Sequence, residues 1–377
     1  MNKKIDEVYP NMLSQKLKIL ILCNPCHGFG DVIFAMKLMK YIVVFYKSKV
    51  KIATTTPDSF IKLGASKTYI IPLDTSSSLQ CRRFARLSSK KPIDAYDLYF
   101  VAPLPADNKI SQRDISILIP SANKDNTIFF SEYNDNLKKG FDFNTGIGRG
   151  RDGIFITEIP RSVNSYKSLG KYAVAYLAES IDKSEQCFLN FLSMVSKKYE
   201  LLKFTIVAPD WIADIKDNKL KKHLSKYYGR INIHTKSEEL QIDVGSGHGI
   251  LNLKCDIFPV PNKDMLTLMK YSVDDILLTG DQSITDALSC CSNKNIFYQI
   301  APWKANFAKN LANHLPNPYL SKKSTSCGTV KAVSYKSDYT KFIKTWDFRY
   351  RGKAKLDTVI ERGIACAQRP KAGINMI

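Results

Sequence analysis

The sequence is short of acid. Its 377 residues hold 35 Asp and Glu against 56 Lys and Arg, a formal net charge of +21. No run approaches the ~18 consecutive apolar residues of a membrane-spanning helix. The N-terminus does not read as a secretory leader. In MNKKIDEVYPNMLSQKLKILILCNPC the apolar stretch is short and late, and it reads as a buried strand. The nine cysteines, at 23, 26, 81, 187, 255, 290, 291, 327 and 366, are odd in number and unpatterned. That excludes a disulfide framework and implies a reducing compartment, the cytoplasm of its own cell or of a host. What is present suffices for ordinary cores: 44 % hydrophobic residues, 11 % aromatic, over a length that suits two domains.

The basic excess is uneven. Residues 301–377 carry fifteen Lys and Arg against Asp338, Asp347, Asp357 and Glu361. Nucleic acid, an anionic membrane surface and a phosphorylated substrate all suit such a charge, and so does plain solubility. Tyr335, Tyr339, Trp346, Phe348 and Tyr350 are interleaved with these cations, as in surfaces that stack bases. The same region also reads as a helix whose buried face is Trp346, Phe348, Leu356, Val359 and Ile360.

Short apolar runs alternate with helical patterns. Strands are expected at Lys18–Cys23, Val50–Thr54, Thr68–Pro72, Leu98–Ala102 and Thr127–Phe130. Helices are expected at Val32–Tyr46, Pro57–Leu63 and Ser78–Leu87. The pattern then restarts, with strands at Tyr172–Leu177, Phe204–Ala208, Ile231–His234, Asp256–Val260, Asp275–Thr279 and Ile296–Ile300. Helices fall at Ser184–Lys197, Asp264–Tyr271, from the 280–283 turn through Leu288, and at Ala305–His314. Near-continuous apolar strands separated by helices predict parallel sheets covered on both faces. A linker is expected near Asn144–Ser168, and helical material from Ser337 onward.

Several motifs compete for function. Cys23-Asn24-Pro25-Cys26-His27 fits a haem-attachment or thioredoxin-like spacing. Haem attachment needs an exported chain, and Pro25 keeps the pair on the strand side of the turn, so coincidence is the plainer reading. Gly146-Ile147-Gly148-Arg149-Gly150 does not follow a strand and open a helix, so it fails as a dinucleotide fingerprint. It reads as a linker or an acceptor-side loop. Gly245-Ser246-Gly247-His248-Gly249 is a loop between strands, with a phosphate site as the sharper alternative.

Two other turns are better placed. Gly28-Phe29-Gly30-Asp31 joins the first strand to the first helix, at the carboxyl edge where parallel sheets bind ligands. Gly280-Asp281-Gln282-Ser283 takes the equivalent place in the second half. Helix N-terminal N–H groups there face an anion, beside the Ser283 hydroxyl and the Asp281 carboxylate. Helix capping is the plain alternative for both.

Two such halves resemble the GT-B glycosyltransferases. A more specific likeness is to the protein-arginine rhamnosyltransferases of elongation factor P. His27-Gly28-Phe29-Gly30-Asp31 stands where that family has Asp-Asn-aromatic-Gly-Asp, and Gly280-Asp281-Gln282-Ser283 where it has Gly-Glu-Asp-Ser. Phe297-Tyr298-Gln299-Ile300-Ala301-Pro302 resembles its aromatic strand and Pro-containing loop. The resemblance implies two Rossmann-like domains facing a central cleft. The acceptor domain would span 1–165, the donor domain 166–315, and a basic extension, 316–377, would cross back to the first domain.

It further implies a sugar moved from a nucleotide-diphosphate donor to a protein or glycan acceptor, with no metal and no cofactor. Gly280, Asp281, Gln282, Ser283, Tyr298 and Lys304 would bind the donor, and Gly28, Phe29 and Gly30 would shape the acceptor loop. Asp31 would be the base, with His27 the second candidate; a retaining reaction would need no dedicated base. Nucleic acid is the less favoured partner, a peripheral anionic surface is compatible, and a catalytically inactive GT-B-like module is the remaining alternative.

Overall fold

A computed structural model describes residues 17–25, 29–75, 87–90, 92–104, 112–134, 140–157, 166–200, 202–291, 294–315, 329–332 and 336–368. The chain divides into two compact units. One holds the residues up to Phe155 with those from Trp346 onward, and the other Ile156–Thr345.

The first unit is built on five parallel strands: β1 (Lys18–Cys23), β2 (Lys49–Thr54), β3 (Ile70–Pro72), β4 (Leu98–Leu104) and β5 (Thr127–Ser131), in the order β3-β2-β1-β4-β5. The order reverses between β1 and β4, the switch point of a doubly wound sheet. Helices α1 (Gly30–Tyr46), α2 (Pro57–Lys62) and α3 (Gln112–Leu118) are its connections. Strand β1 is buried after its first residue because both faces are covered. Leu20, Leu22, Tyr99 and Val101 enter one core with Ile115 and Ile119 of the α3 segment.

The aromatic core of this unit is completed from the far end of the chain. Helices α9 (Lys336–Trp346), α10 (Phe348–Arg351) and α11 (Lys353–Gln368) close the sequence. Phe348 is fully buried among Phe143, Phe155 and Tyr41, at centroid distances of 5.7, 4.6 and 5.4 Å. The backbone locks it there: Ile154 N donates to Trp346 O at 2.8 Å, and Phe348 N to Ile154 O at 2.9 Å. Trp346, Leu356, Val359 and Ile360 are buried as well. Trp346 and Phe348 are therefore core residues and offer no stacking platform to bases. Tyr350 is exposed, while Tyr335 and the Tyr339 side chain lie outside the described residues.

The second unit has eight strands: β6 (Tyr172–Tyr176), β7 (Lys203–Val207), β8 (Tyr228–His234), β9 (Glu239–Asp243), β10 (Gly249–Lys254), β11 (Asp275–Thr279), β12 (Asn295–Gln299) and β13 (Thr329–Ala332). Their order is β9-β8-β10-β7-β6-β11-β12-β13. The inner six are parallel, and an antiparallel strand pairs at each edge. Helices α4 (Ser184–Tyr199), α5 (Asp217–Leu224), α6 (Asn262–Tyr271), α7 (Asp281–Cys290) and α8 (Ala305–His314) complete the unit.

Four expectations need correction. Asp256–Val260 is not a strand; the strand is β10, which ends at Lys254. Pro259 lacks the N–H that a central ladder needs, and the Phe258-Pro259 peptide is cis. Asn252 had hidden β10 by interrupting its apolar run; its amide oxygen accepts from Asn232 at 3.1 Å. Leu87 does not end a helix but pairs with Thr75 in a two-residue ladder; 76–86 lie outside the described residues. The segment Asn144–Phe155 is no linker. Gly146 N donates to Gly153 O at 2.8 Å, and the Asn134 side chain receives Ile147 N at 2.7 Å. The third strand starts at Ile70, behind a 3-10 turn over Lys67–Tyr69.

Candidate functional site

Polar groups gather at the carboxyl edges of both sheets. In the first unit His27 and Gly28 lie outside the described residues, as does Cys26. Phe29 precedes α1 without a capping side chain, Gly30 is its first residue, and Asp31 sits in its first turn, where a negative charge suits the helix dipole. Asn24 is buried beside them and accepts from the Thr55 hydroxyl at 2.7 Å. Cys23 is buried with its thiol toward the Asp31 carbonyl, at 3.7 Å.

The second unit has the richer edge. Its strand order reverses between β6 and β11, so the switch point lies over Tyr176 and Thr279. Helix α7 starts directly there. Gly280 precedes it at φ +77°, a conformation that L side chains resist, and no side chain caps the helix. The first-turn N–H groups of an α-helix find no acceptor inside the helix itself. Asp281 and Gln282 are buried and Ser283 is half-buried.

Lys304 reaches this turn from the segment after β12. Its ammonium lies 2.9 Å from Asp281 Oδ2, with side chains only 13 % and 8 % exposed. Tyr298 of β12 is buried against the same pair. Its hydroxyl makes no hydrogen bond, and burial, reinforced by the Asp281 charge, holds the phenol well above its ordinary range. Gln299 ties the edge together. It accepts from Ala178 N at 2.9 Å and donates to Ser184 Oγ at 2.7 Å, spanning from β12 to the loop after β6. Thus Gly280, Asp281, Gln282, Ser283, Tyr298 and Lys304 come together in one unit.

Other polar groups at this edge escaped sequence reasoning. Asp286, on α7, is buried and accepts from Thr157 Oγ1 at 2.5 Å and Asn262 Nδ2 at 2.9 Å. Trp211, after β7, and Asp256, after β10, each bury a polar atom, Nε1 and Oδ1, with no hydrogen-bond partner. Misplacing the strand at 256–260 had hidden Asp256. By contrast, Gly245 and Gly247 are packing residues. A Cβ on Gly247 would lie 2.4 Å from Tyr228 N and 2.5 Å from Tyr227 C.

The amino edge carries a structural cluster instead. Asp275 is buried and accepts from Lys198, from Tyr199 at 2.5 Å and from Asn295 at 3.0 Å. Its valences are filled, and it stands at the wrong end of β11 for a ligand.

Chemically, the α7 edge can hold an anion and orient hydroxyl groups. An uncapped helix terminus and an ammonium supply positive potential, and Asp281 is a buried acceptor. Among the described residues, no group of three or more His, Cys, Asp or Glu side chains is placed to hold a metal ion, and no helix is long and apolar enough to cross a membrane.

No family model and no curated protein matches the chain. Among solved structures, it is similar to an alpha-glucosyltransferase in complex with UDP and a 13-mer DNA containing a HMU base. The TM-score is 0.45 at 9 % identity, covering 92 % of this chain and 100 % of that one. An alpha-glucosyltransferase complex with UDP and a 13-mer DNA containing a central A:G mismatch gives 0.43 at 10 %, covering 91 % and 100 %. A putative UDP-N-acetylglucosamine 2-epimerase from Listeria monocytogenes gives 0.43 at 10 %, covering 94 % of each chain. Likeness at this level does not extend to activity.

Proposed function

We propose that the chain is a nucleotide-sugar-dependent glycosyltransferase of the GT-B kind whose donor binds at the carboxyl edge of the 156–345 unit. One observation carries this reading. An uncapped helix terminus, a buried Lys–Asp pair and an unpartnered tyrosine hydroxyl converge on a sheet switch point. A diphosphate at the α7 terminus would meet the first-turn N–H groups and Lys304, which would neutralise the leaving charge without a metal. Trp211 Nε1 and Asp256 Oδ1, a donor and an acceptor beyond β6, offer partners to the edge of a base. Asp281 would then hold Lys304 in place and accept from a donor hydroxyl.

Asp31 is the proposed base toward a protein or glycan acceptor, with His27 as the second candidate and Gly28, Phe29 and Gly30 shaping the loop. An arginine acceptor with a rhamnose donor is the finer form of the reading, and it rests on the two short motifs alone.

Two substitutions separate the roles. Asp31→Ala should abolish transfer while leaving donor affinity unchanged in calorimetry. Asp281→Ala should weaken donor binding itself. Equal loss of donor affinity in both variants would contradict the assignment.

A further inference from the structure

Trp303 is 66 % exposed. The other large exposed apolar side chains among the described residues of its unit are Leu202, Leu240 and Tyr271. Leu202 directly precedes β7 and Tyr271 precedes β11, so both belong to the amino edge, while Leu240 lies on the edge strand β9. Trp303 alone of the four stands at the carboxyl edge, directly after β12. An indole left in water at a ligand-binding edge forgoes much apolar burial, which a ligand face can restore.

Its placement is built. Pro302 opens a 3-10 turn over Pro302–Lys304, closed by Lys304 N donating to Ala301 O at 2.8 Å. The next side chain, Lys304, is anchored on Asp281 at 2.9 Å. Trp303 is therefore held on a short turn, adjacent in the chain to the cation proposed to meet the diphosphate.

Sheet order decides which part of the donor it meets. Strands lie about 4.8 Å apart. From α7, which follows β11, Trp303 is one strand away on the β12 side. Trp211 and Asp256 follow β7 and β10, two and three strands away on the opposite side. A donor with its diphosphate at the α7 terminus thus points its base toward β7 and β10 and its sugar toward β12. A pyranose presents a face of C–H groups, which suits an aromatic platform, while its hydroxyls remain for polar partners.

We infer that Trp303 is the platform on which the donor's sugar ring stacks, and so a specificity-determining residue for a pyranose-bearing nucleotide. The inference rests on the donor reading above. The chain has three tryptophans, at 211, 303 and 346. Subtracting the emission of Trp303→Phe from that of the unsubstituted protein isolates Trp303.

The probes are UDP-, GDP-, ADP- and dTDP-glucose and the matching diphosphates, with affinity measured in parallel by calorimetry. A bound nucleotide sugar should protect Trp303 from acrylamide, whereas its bound bare diphosphate should not. Trp303→Ala should weaken the nucleotide sugar about tenfold and the bare diphosphate less than about twofold, with Trp303→Phe retaining most of the affinity. Binding of a nucleotide sugar with Trp303 still fully quenched overturns the inference and leaves the donor reading standing. So does protection by the bare diphosphate, or equal weakening of both ligands. If no nucleotide binds even the unsubstituted protein, the donor reading itself fails and the inference falls with it.

Discussion

Lys304 and Asp281 illustrate how a residue's role depends on its neighbours. From the sequence each is a donor-site candidate, Lys304 for the phosphates and Asp281 for a hydroxyl. Their mutual pairing is not legible there, because 23 positions separate them and only the register of β11 on β12 brings their turns together. Asp256 and Trp211 were illegible for the same reason: their meaning depends on which strand ends they follow. Cysteine chemistry is decided at this scale too. Burial, reinforced by Asp256, Asp210 and Asp214, pushes the Cys255 thiol up to about 12, and burial takes Cys291 to about 12. The thiolate is the reactive form, so both remain inert near pH 8 in the folded protein. Iodoacetamide followed by peptide mass mapping should leave Cys255 and Cys291 unmodified until denaturant is added. Rapid labelling of either in the native state would contradict the burial that sets these values.

Elements followed the sequence where a strand is one unbroken apolar run. KILILC, DILLT and the YAVAY of β6 were each recognisable because both faces are covered. The reading failed where a strand carries a polar residue inside the sheet, as β10 does with Asn252, and where an edge strand such as β9 is mostly exposed. It also missed α3, of which only Ile115 is buried, and α5, where Leu220 and Leu224 alone supply the apolar face. Glycine turns divide in the same way. At Gly280 a methyl group would have nothing within 4 Å, so alanine there meets only the backbone penalty of φ +77° and ψ 153°, a region nearly reserved for glycine, about 1–3 kcal/mol. At Gly247 the same methyl meets backbone at 2.4 Å, and backbone cannot step aside. Gly247→Ala should therefore cost about 1–3 kcal/mol in denaturant unfolding. A Gly247→Ala variant as stable as the unsubstituted protein would show that the 245–249 loop is not the packed turn described.

For the whole molecule, the net charge of +21 first directed attention to nucleic acid. The structure redirects it. Two of the aromatic residues interleaved with the basic tail, Trp346 and Phe348, belong to the core of the first unit, and two carboxylates there are engaged: Asp347 with Arg349, and Asp357 with Lys353 and the Tyr46 hydroxyl. Phe348→Ala should destabilise that unit by about 3–5 kcal/mol, as for other fully buried aromatics. Thermal unfolding that is unchanged would mean the terminal helices contribute little to it. The central claim concerns the other unit, and calorimetric titration of the full chain with UDP-, GDP-, ADP- and dTDP-sugars tests it most directly. The account predicts saturable binding of at least one sugar donor, weakened about 10–100-fold by Lys304→Met, the worth of a charge-assisted hydrogen bond. Absence of binding across the panel, or binding indifferent to Lys304→Met, would contradict it.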